Sequence, residues 1–160
     1  MMLPRAKYRQ FGRPKMTPKG IVIHNTNSPR TARELAEWMK KTDEARGCHY
    51  FVDSSETIQM MPLSWSVFNT GMGNDFGNTQ CIAIEICTDP SERKYLAAQS
   101  RAMELIKDLM AKYHLTESDI YFHRDFNPNV NCPAQILSRY KTKQGFLQLV
   151  KGEPNGQVNV

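Results

Sequence analysis

The amino-acid sequence predicts an α/β fold, with a central mixed β-sheet flanked by helices. Short apolar runs typical of buried strands alternate with longer segments in which apolar residues recur at helical spacing. Two of the strand-like runs are separated only by a polar turn, which indicates one antiparallel hairpin in a sheet whose other strands are joined through helices. The 160 residues are enough for one domain with a sizeable core.

The first part of the chain is predicted to form an arm, a strand, a helix and the hairpin. Residues 1–17 are basic and contain prolines, and we expect an irregular arm there. Residues 20–23 are an apolar run that ends at His24, typical of a buried strand that enters a polar loop. The sequence Thr31-Ala-Arg-Glu34 matches a capping box and predicts the start of a helix. The expected elements that follow are the rest of this helix to about residue 41 and hairpin strands at 47–53 and 57–61.

The second part of the chain continues the alternation of strands and helices. Residues 64–79 contain three glycines and three asparagines, and we predict a functional loop. Residues 80–87 are almost wholly apolar and predict a central buried strand. The remaining predictions are a helix at 91–114, a strand at 120–122, a helix at 133–140, and a tail or linker at 151–160.

Composition and charge limit the classes of function. No apolar run approaches the ~20 residues that a membrane-spanning helix needs. The basic N-terminus is not followed by an apolar segment, so we expect no Sec signal peptide and synthesis in the cytoplasm. The net charge of +5 favours an anionic partner such as nucleic acid, a membrane surface or an anionic wall polymer, although a solvated basic surface explains it equally well.

Two histidines and one cysteine stand where strands end in polar loops. His24 and His123 each follow a short apolar run, and Cys132 lies on the loop after His123. Imidazole and thiolate are ligands that Zn²⁺ takes, and three protein ligands leave one position open, as in catalytic zinc sites. A structural role for the three side chains remains open from the sequence alone. His114, at a helix end, is expected to be structural, and His49 a core residue or a support for the site.

Glu85 is the one charge inside the apolar run at 80–87. A carboxylate in a central strand is costly to bury unless it is paired, hydrogen-bonded or near a metal. One interpretation is that it reaches solvent or pairs with an arginine. The other is that it acts as a general acid or base beside a metal-activated water.

Five motifs occur in one order along the chain: Ile21-Val-Ile-His-Asn-Thr26, Cys48-His-Tyr-Phe-Val-Asp53, Ile82-Ala-Ile-Glu-Ile86, Phe122-His-Arg-Asp-Phe126 and Asn131-Cys-Pro-Ala-Gln-Ile-Leu137. Together they resemble the zinc-dependent N-acetylmuramoyl-L-alanine amidases, the family of many phage and prophage endolysins, whose fold is shared by peptidoglycan recognition proteins. The resemblance implies a catalytic domain at 18–150 that holds one Zn²⁺ through His24, His123 and Cys132, with Glu85 as the catalytic carboxylate.

The resemblance also implies a substrate and a place of action. It implies hydrolysis of the amide between N-acetylmuramic acid and L-alanine of peptidoglycan, on the host cell wall after release from the cytoplasm. Peptidoglycan and anionic wall polymers are the expected partners. The loop at 64–79 is expected to form one wall of the peptide groove.

Three positions depart from the family pattern. Asn69 stands where many relatives carry a histidine, Val130 where many carry an oxyanion-stabilising lysine, and Cys48 where some carry a tyrosine. The loss of an oxyanion donor slows amide hydrolysis, so the metal, His49 or Arg124 is expected to substitute. We therefore predict substrate contacts for His49, Asn69 and Arg124.

Two other functions compete with the amidase hypothesis. The missing lysine at Val130 favours a module of the same fold that binds peptidoglycan without cutting it, whereas the complete ligand set and Glu85 favour the enzyme. A basic nucleic-acid-binding domain is disfavoured, because the sequence has no phosphate-binding glycine loop, no aromatic and basic stacking motif, and no recognition-helix pattern.

Overall fold

The structure is a computed structural model that describes residues 1–151, so all but the first residue of the predicted tail lie outside the described residues. The strands are β1 (Gly20–Asn25), β2 (Tyr50–Val52), β3 (Thr57–Gln59), β4 (Cys81–Ile86) and β5 (Ile120–Phe122). The helices are α1 (Tyr8–Phe11), α2 (Ala32–Lys41), α3 (Phe76–Gln80), α4 (Glu92–Tyr113), α5 (His123–Phe126), α6 (Ala134–Tyr140) and α7 (Lys143–Lys151). Short 3-10 turns lie at Arg5–Lys7 and Glu117–Asp119.

The five strands form one mixed sheet in the order β3-β2-β4-β1-β5. Strand β1 pairs in parallel with β4 and β5, and β2 pairs in parallel with β4. The β2–β3 pair is antiparallel, which confirms the predicted hairpin and the mixed sheet. Because β1, β4 and β5 run in the same direction, their carboxyl ends meet at one edge of the sheet.

Alternation along the strands separates two cores. On one face, isoleucines of β1 and β4 such as Ile23 and Ile84 pack with Ile106 of α4. On the other face, Phe51 and Ala83 pack with Leu35, Ala36 and Met39 of α2. Successive side chains of a strand point to opposite faces. His24 and Glu85 directly follow Ile23 and Ile84 of the first core, so they lie on the second face.

Helix α2 begins as the sequence predicts. The Thr31 hydroxyl accepts a hydrogen bond from the Glu34 backbone amide, and the Glu34 carboxylate accepts one from the Thr31 amide at 2.8 Å. This capping box satisfies two otherwise unpaired amides of the first turn. It fixes the start of α2 directly after the loop that leaves the end of β1.

The N-terminal segment is not the irregular arm that the sequence predicted. Phe11 and Leu3 are buried in the second core, and the Leu3 amide donates to the Met60 carbonyl at 2.9 Å. The amide of Phe68 donates to the Phe11 carbonyl at 2.8 Å, so the segment also supports the long connection between β3 and β4. Among the described residues, no helix has the combination of length and apolar character that a bilayer crossing requires.

Candidate metal centre and groove

Three neighbouring strands deliver the polar side chains of the site to the same edge of the sheet. His24 of β1 is in register with Glu85 of β4, and two side chains in register on parallel strands project from the same face. His123 directly follows β5, whose last residue, Phe122, pairs with Ile23. The rings of His24 and His123 consequently lie with their centroids 4.7 Å apart.

Asn25 brings Cys132 to the same edge. Its Oδ1 accepts hydrogen bonds from the backbone amides of Gln135 and Ile136, both at 3.0 Å, and so anchors the first turn of α6 at the end of β1. The amide of Arg124 donates to the Cys132 carbonyl at 3.0 Å, which ties the cysteine loop to the segment after His123. As a result, the Cys132 Sγ lies 3.7 Å from the His24 Nδ1.

The ligand atoms of His24, His123 and Cys132 all lie within 4.8 Å of one another. The structure therefore brings together the three side chains that the sequence singled out, although they come from β1, α5 and the loop before α6. His24 is buried, whereas the other two are partly exposed.

The second nitrogen of each histidine is already used. The His24 Nε2 lies 3.0 Å from the Asn69 Oδ1. The Asn69 amide group must donate toward the carbonyls of Val67 and Gly77, so its oxygen faces the imidazole and the Nε2 of His24 carries the proton. The His123 Nε2 donates to the Thr70 carbonyl at 2.9 Å. In both neutral rings the unprotonated Nδ1 is left to act as a ligand.

These features fit a metal ion. Burial, the nearby His123 and the more distant Arg46 lower the pKa of His24 to about 3, although the Asn69 hydrogen bond opposes them, and burial also lowers the pKa of His123. Both rings are neutral, as metal ligation requires. Burial raises the pKa of the Cys132 thiol to about 12, a cost that a bound cation would reverse. Two imidazoles and one thiolate are a donor set that suits zinc.

Glu85 lies beside this cluster with an unsatisfied carboxylate. Its Oε2 is buried and has no hydrogen-bond partner among the described residues. Burial raises the pKa of Glu85 to about 7, and the positive charge of Arg46 partly opposes the shift. A carboxyl group with a pKa near neutrality can both accept and return a proton at physiological pH.

The cluster opens into a groove with a volume of about 590 Å³. The ligand residues and Glu85 line it, together with Asn69 and Cys48. Two arginines, Arg30 and Arg46, also line it. The groove thus combines a candidate metal centre, a proton-accepting carboxylate and room for an extended ligand.

Comparison with known proteins identifies the family. The family model described as N-acetylmuramoyl-L-alanine amidase matches residues 14–135. The chain belongs to the N-acetylmuramoyl-L-alanine amidase family. It is 30% identical over 128 residues to the amidase XlyA and 31% identical over 160 residues to the amidase XlyB, both from Bacillus subtilis. These matches cover 78% and 99% of this chain but only 42% and 50% of the relatives, so the chain spans about half the length of the curated relatives it matches.

Solved structures of amidase relatives show the same fold. The structure of PlyL superposes with a TM-score of 0.87 at 26% identity and covers 94% of each chain. The catalytic domain of XlyA superposes with a TM-score of 0.78 at 28% identity, over 92% of this chain and 99% of the other. The α/β fold expected from the amidase resemblance is therefore confirmed.

His49 and Arg124, for which the sequence predicts substrate contacts, are not among the residues that line the groove. His49 is completely buried; its Nδ1 accepts from the Ala83 amide at 2.9 Å, and its Nε2 donates to the Trp65 carbonyl at 2.8 Å. Both nitrogens are engaged by backbone groups, which fits the core role that the sequence also allows for His49. The Arg124 side chain is exposed and is not among the residues that line the groove.

Asn69 does reach the groove, but its polar atoms support His24 and the surrounding loop. It is also the only residue of the predicted loop at 64–79 that lines the groove. The end of that segment is helical, because α3 begins at Phe76. The expected groove wall is formed instead by segments near Arg30, Arg46 and Val130.

Sequence reasoning missed Arg30, Arg46 and the supporting role of Asn78. The Asn78 Oδ1 accepts from the backbone amides of Asn69 and Thr70, at 2.6 Å and 2.9 Å, and so fixes both groups that hold the two histidines. Arg46 stands only two residues before the Cys48-His49 motif, a proximity that could have singled it out.

Proposed function

We propose that the protein is a zinc-dependent hydrolase that cleaves the amide between N-acetylmuramic acid and L-alanine of peptidoglycan. One observation carries the proposal: His24, His123 and Cys132 converge within 4.8 Å, at the sheet edge where Glu85 is in register with His24. Family membership supports the same reaction.

One Zn²⁺ would be held by His24 Nδ1, His123 Nδ1 and Cys132 Sγ, with Asn69 and Thr70 orienting the two imidazoles. A zinc ion in such a site supplies a Lewis acid that polarises the scissile carbonyl and lowers the pKa of water. Hydrogen bonds to the outer nitrogens of ligating histidines keep the rings oriented and raise their basicity.

Glu85 is the proposed general base and general acid. Its unpaired Oε2 accepts a proton from the attacking water and returns that proton to the departing nitrogen of L-alanine. A pKa of about 7 suits both steps, because the ionised and protonated forms are then both accessible near neutral pH.

The decisive experiment combines metal analysis with product analysis. Purified cell walls are incubated with zinc-loaded protein, chelated protein and the Glu85→Gln variant, and newly freed L-alanine amino groups are measured. We expect one zinc per chain in the wild type and in Glu85→Gln, with turnover reduced by about 10²–10⁴-fold in the variant. Glu104→Gln, an exposed carboxylate on α4, is the matched control and should retain full turnover. Equal cleavage by chelated and zinc-loaded protein would contradict the proposal.

A non-catalytic peptidoglycan-binding module is the second candidate. It is favoured by position 130, which lines the groove and carries an uncharged valine where many relatives have a lysine. It predicts that wall fragments bind with no release of amino groups in the presence of zinc. The same product assay separates the two functions.

The proposed place of action is the host cell wall, reached after release from the cytoplasm, as expected of a phage or prophage endolysin. The net charge of +5 supports attraction to anionic wall polymers as well as to peptidoglycan. Wall binding through this charge should weaken as salt is raised.

A further inference from the structure

We propose that Arg46, assisted by Arg30, binds a carboxylate of the stem peptide and makes the enzyme selective for an acidic peptide. The inference rests on the proposed amidase function and concerns the peptide beyond the scissile bond. It depends on where the two arginines lie, on the charges they face, and on what the guanidinium group binds best.

The backbone at Arg46 is held firmly at the groove. Gly47, the next residue, packs so closely that an added Cβ would overlap the side chains of Met39 and Phe11. Its amide donates to the Phe68 carbonyl at 3.0 Å. The main chain is therefore fixed against the second core at a point where Arg46 lines the groove.

Among the residues that the structure describes, the Arg46 guanidinium has no strong partner. Its ion pair with Glu44 is 3.8 Å long, and the two side chains are 72% and 57% exposed. Exposed pairs of this kind contribute little to stability. Arg30 forms no ion pair within 4 Å among the described residues. Both cations are thus available to a ligand.

The groove is lined by more positively charged than negatively charged side chains. Arg30 and Arg46 line it, and Glu85 is the only acidic residue among the described residues that do so. A ligand that carries negative charge is therefore favoured electrostatically.

A carboxylate is the anion that best fits this arrangement. Guanidinium offers two parallel N–H donors that match the two oxygens of a carboxylate, which gives charge and geometric selectivity together. A stem peptide can present a free carboxylate on the residue after L-alanine, or the corresponding amide. We therefore expect the free acid to be preferred.

The test compares two soluble muramyl-L-alanyl peptides that differ only in whether the residue after alanine bears a free carboxylate or its amide. Cleavage by zinc-loaded wild type, Arg46→Gln, Arg46→Lys and the control Arg93→Gln is measured, with KM and kcat separated. Binding of both peptides is also titrated in the Glu85→Gln background, with and without Arg46→Gln. Arg93 is exposed on α4, which packs on the opposite face of the sheet.

We expect the wild type to prefer the acid by about 10-fold, through KM and binding affinity, since a hydrogen-bonded charge pair discriminates by roughly that factor. Arg46→Gln should remove the preference by weakening the acid alone, Arg46→Lys should keep part of it, and Arg93→Gln should leave it unchanged. Equal affinity of the wild type for both peptides would overturn the inference. An Arg46→Gln variant with lower kcat for both peptides and unchanged binding would overturn it as well, because Arg46 would then act on the developing oxyanion.

If the proposed amidase function is wrong, the cleavage assay and the binding titration give different results from those above. In that case zinc-loaded wild type would cleave neither peptide, whereas the binding titration would still report whether Arg46 selects the acid.

Discussion

The surroundings of His49 and of His24 differ, although both side chains are buried on the same face of the sheet. Burial lowers the pKa of His49 to about 4 and is the main cause that lowers the pKa of His24 to about 3, so both rings are neutral. His49 has both nitrogens engaged by backbone groups of Ala83 and Trp65. His24 has one nitrogen engaged by Asn69, while the other lies 3.7 Å from the Cys132 Sγ, and both residues line the groove.

This difference separates a structural histidine from a candidate ligand. A buried polar group whose partners are complete contributes to folding and has nothing left to offer a ligand. A buried group with one unused lone pair that faces a cavity is costly to the fold unless something binds there. The Glu85 Oε2 meets the second condition, and the His24 Nδ1 meets only the Cys132 thiol at the groove, which is why we place function at that edge of the sheet.

The largest effect on stability is expected from His49→Ala. The change removes a completely buried side chain and leaves the Ala83 amide and the Trp65 carbonyl without partners. We expect a loss of about 3 kcal/mol in the free energy of unfolding, measured with urea, and unchanged zinc stoichiometry. His49→Asn, whose Oδ1 can still accept from the Ala83 amide, should recover part of the loss. Loss of zinc binding in folded His49→Asn would contradict the comparison.

Protonation of His49 should also make the free energy of unfolding depend on pH. The folded pKa of His49 is about 4 and its ordinary value is 6.5, so the unfolded chain binds a proton first as pH falls. The contribution of His49 to stability is therefore complete above pH 6.5 and should decline by about 3 kcal/mol as pH falls to about 4, so it is taken from the difference between the wild type and His49→Asn. Urea titrations of chelated protein at several pH values measure this, and His49→Asn should flatten the decline. An equally steep decline in both proteins would assign the effect to other groups.

The next effect concerns the region around His24. Asn69→Ala removes the acceptor that fixes the His24 tautomer, and we expect zinc affinity to fall by about 10-fold, in the range found for partners of metal-ligating histidines. Competition with a chromogenic chelator measures the affinity, and circular dichroism checks that the fold is retained. Asn129→Ala, at an exposed loop position, is the matched control. Equal affinity in both variants would mean that Asn69 does not position the ligand.

The contrast between the two histidines shows what the sequence could predict. His24 and His123 were identified because each follows a strand-like apolar run, and parallel strands carry their ends to one edge. Local signals also predicted the capping box at Thr31 and the long helix α4, whose Ser91 cap accepts from the Lys94 amide. Such features depend on residues close together in the chain.

Features that depend on distant contacts were missed. For His49 the sequence allowed both a core role and a substrate contact, and only the carbonyl of Trp65 and the amide of Ala83, 16 and 34 residues away, favour the core role. The contact between Asn69 and His24 spans 45 residues, and the Asn69 side chain could equally have faced a substrate. The packed N-terminal segment was predicted to be irregular, because its apolar residues are too few to show a period.

The smallest effect is expected at His114, an exposed histidine that provides the baseline for both regions. It ends α4 in the left-handed conformation, with φ of 55°, which favours glycine. His114→Gly should raise the free energy of unfolding by up to about 1 kcal/mol, because a non-glycine residue is strained in that conformation. The urea midpoint measures the change, and zinc affinity should equal that of the wild type. A fall in stability would mean that the left-handed conformation does not strain a histidine there, and a fall in zinc affinity would mean that a histidine outside both buried regions is coupled to the metal site.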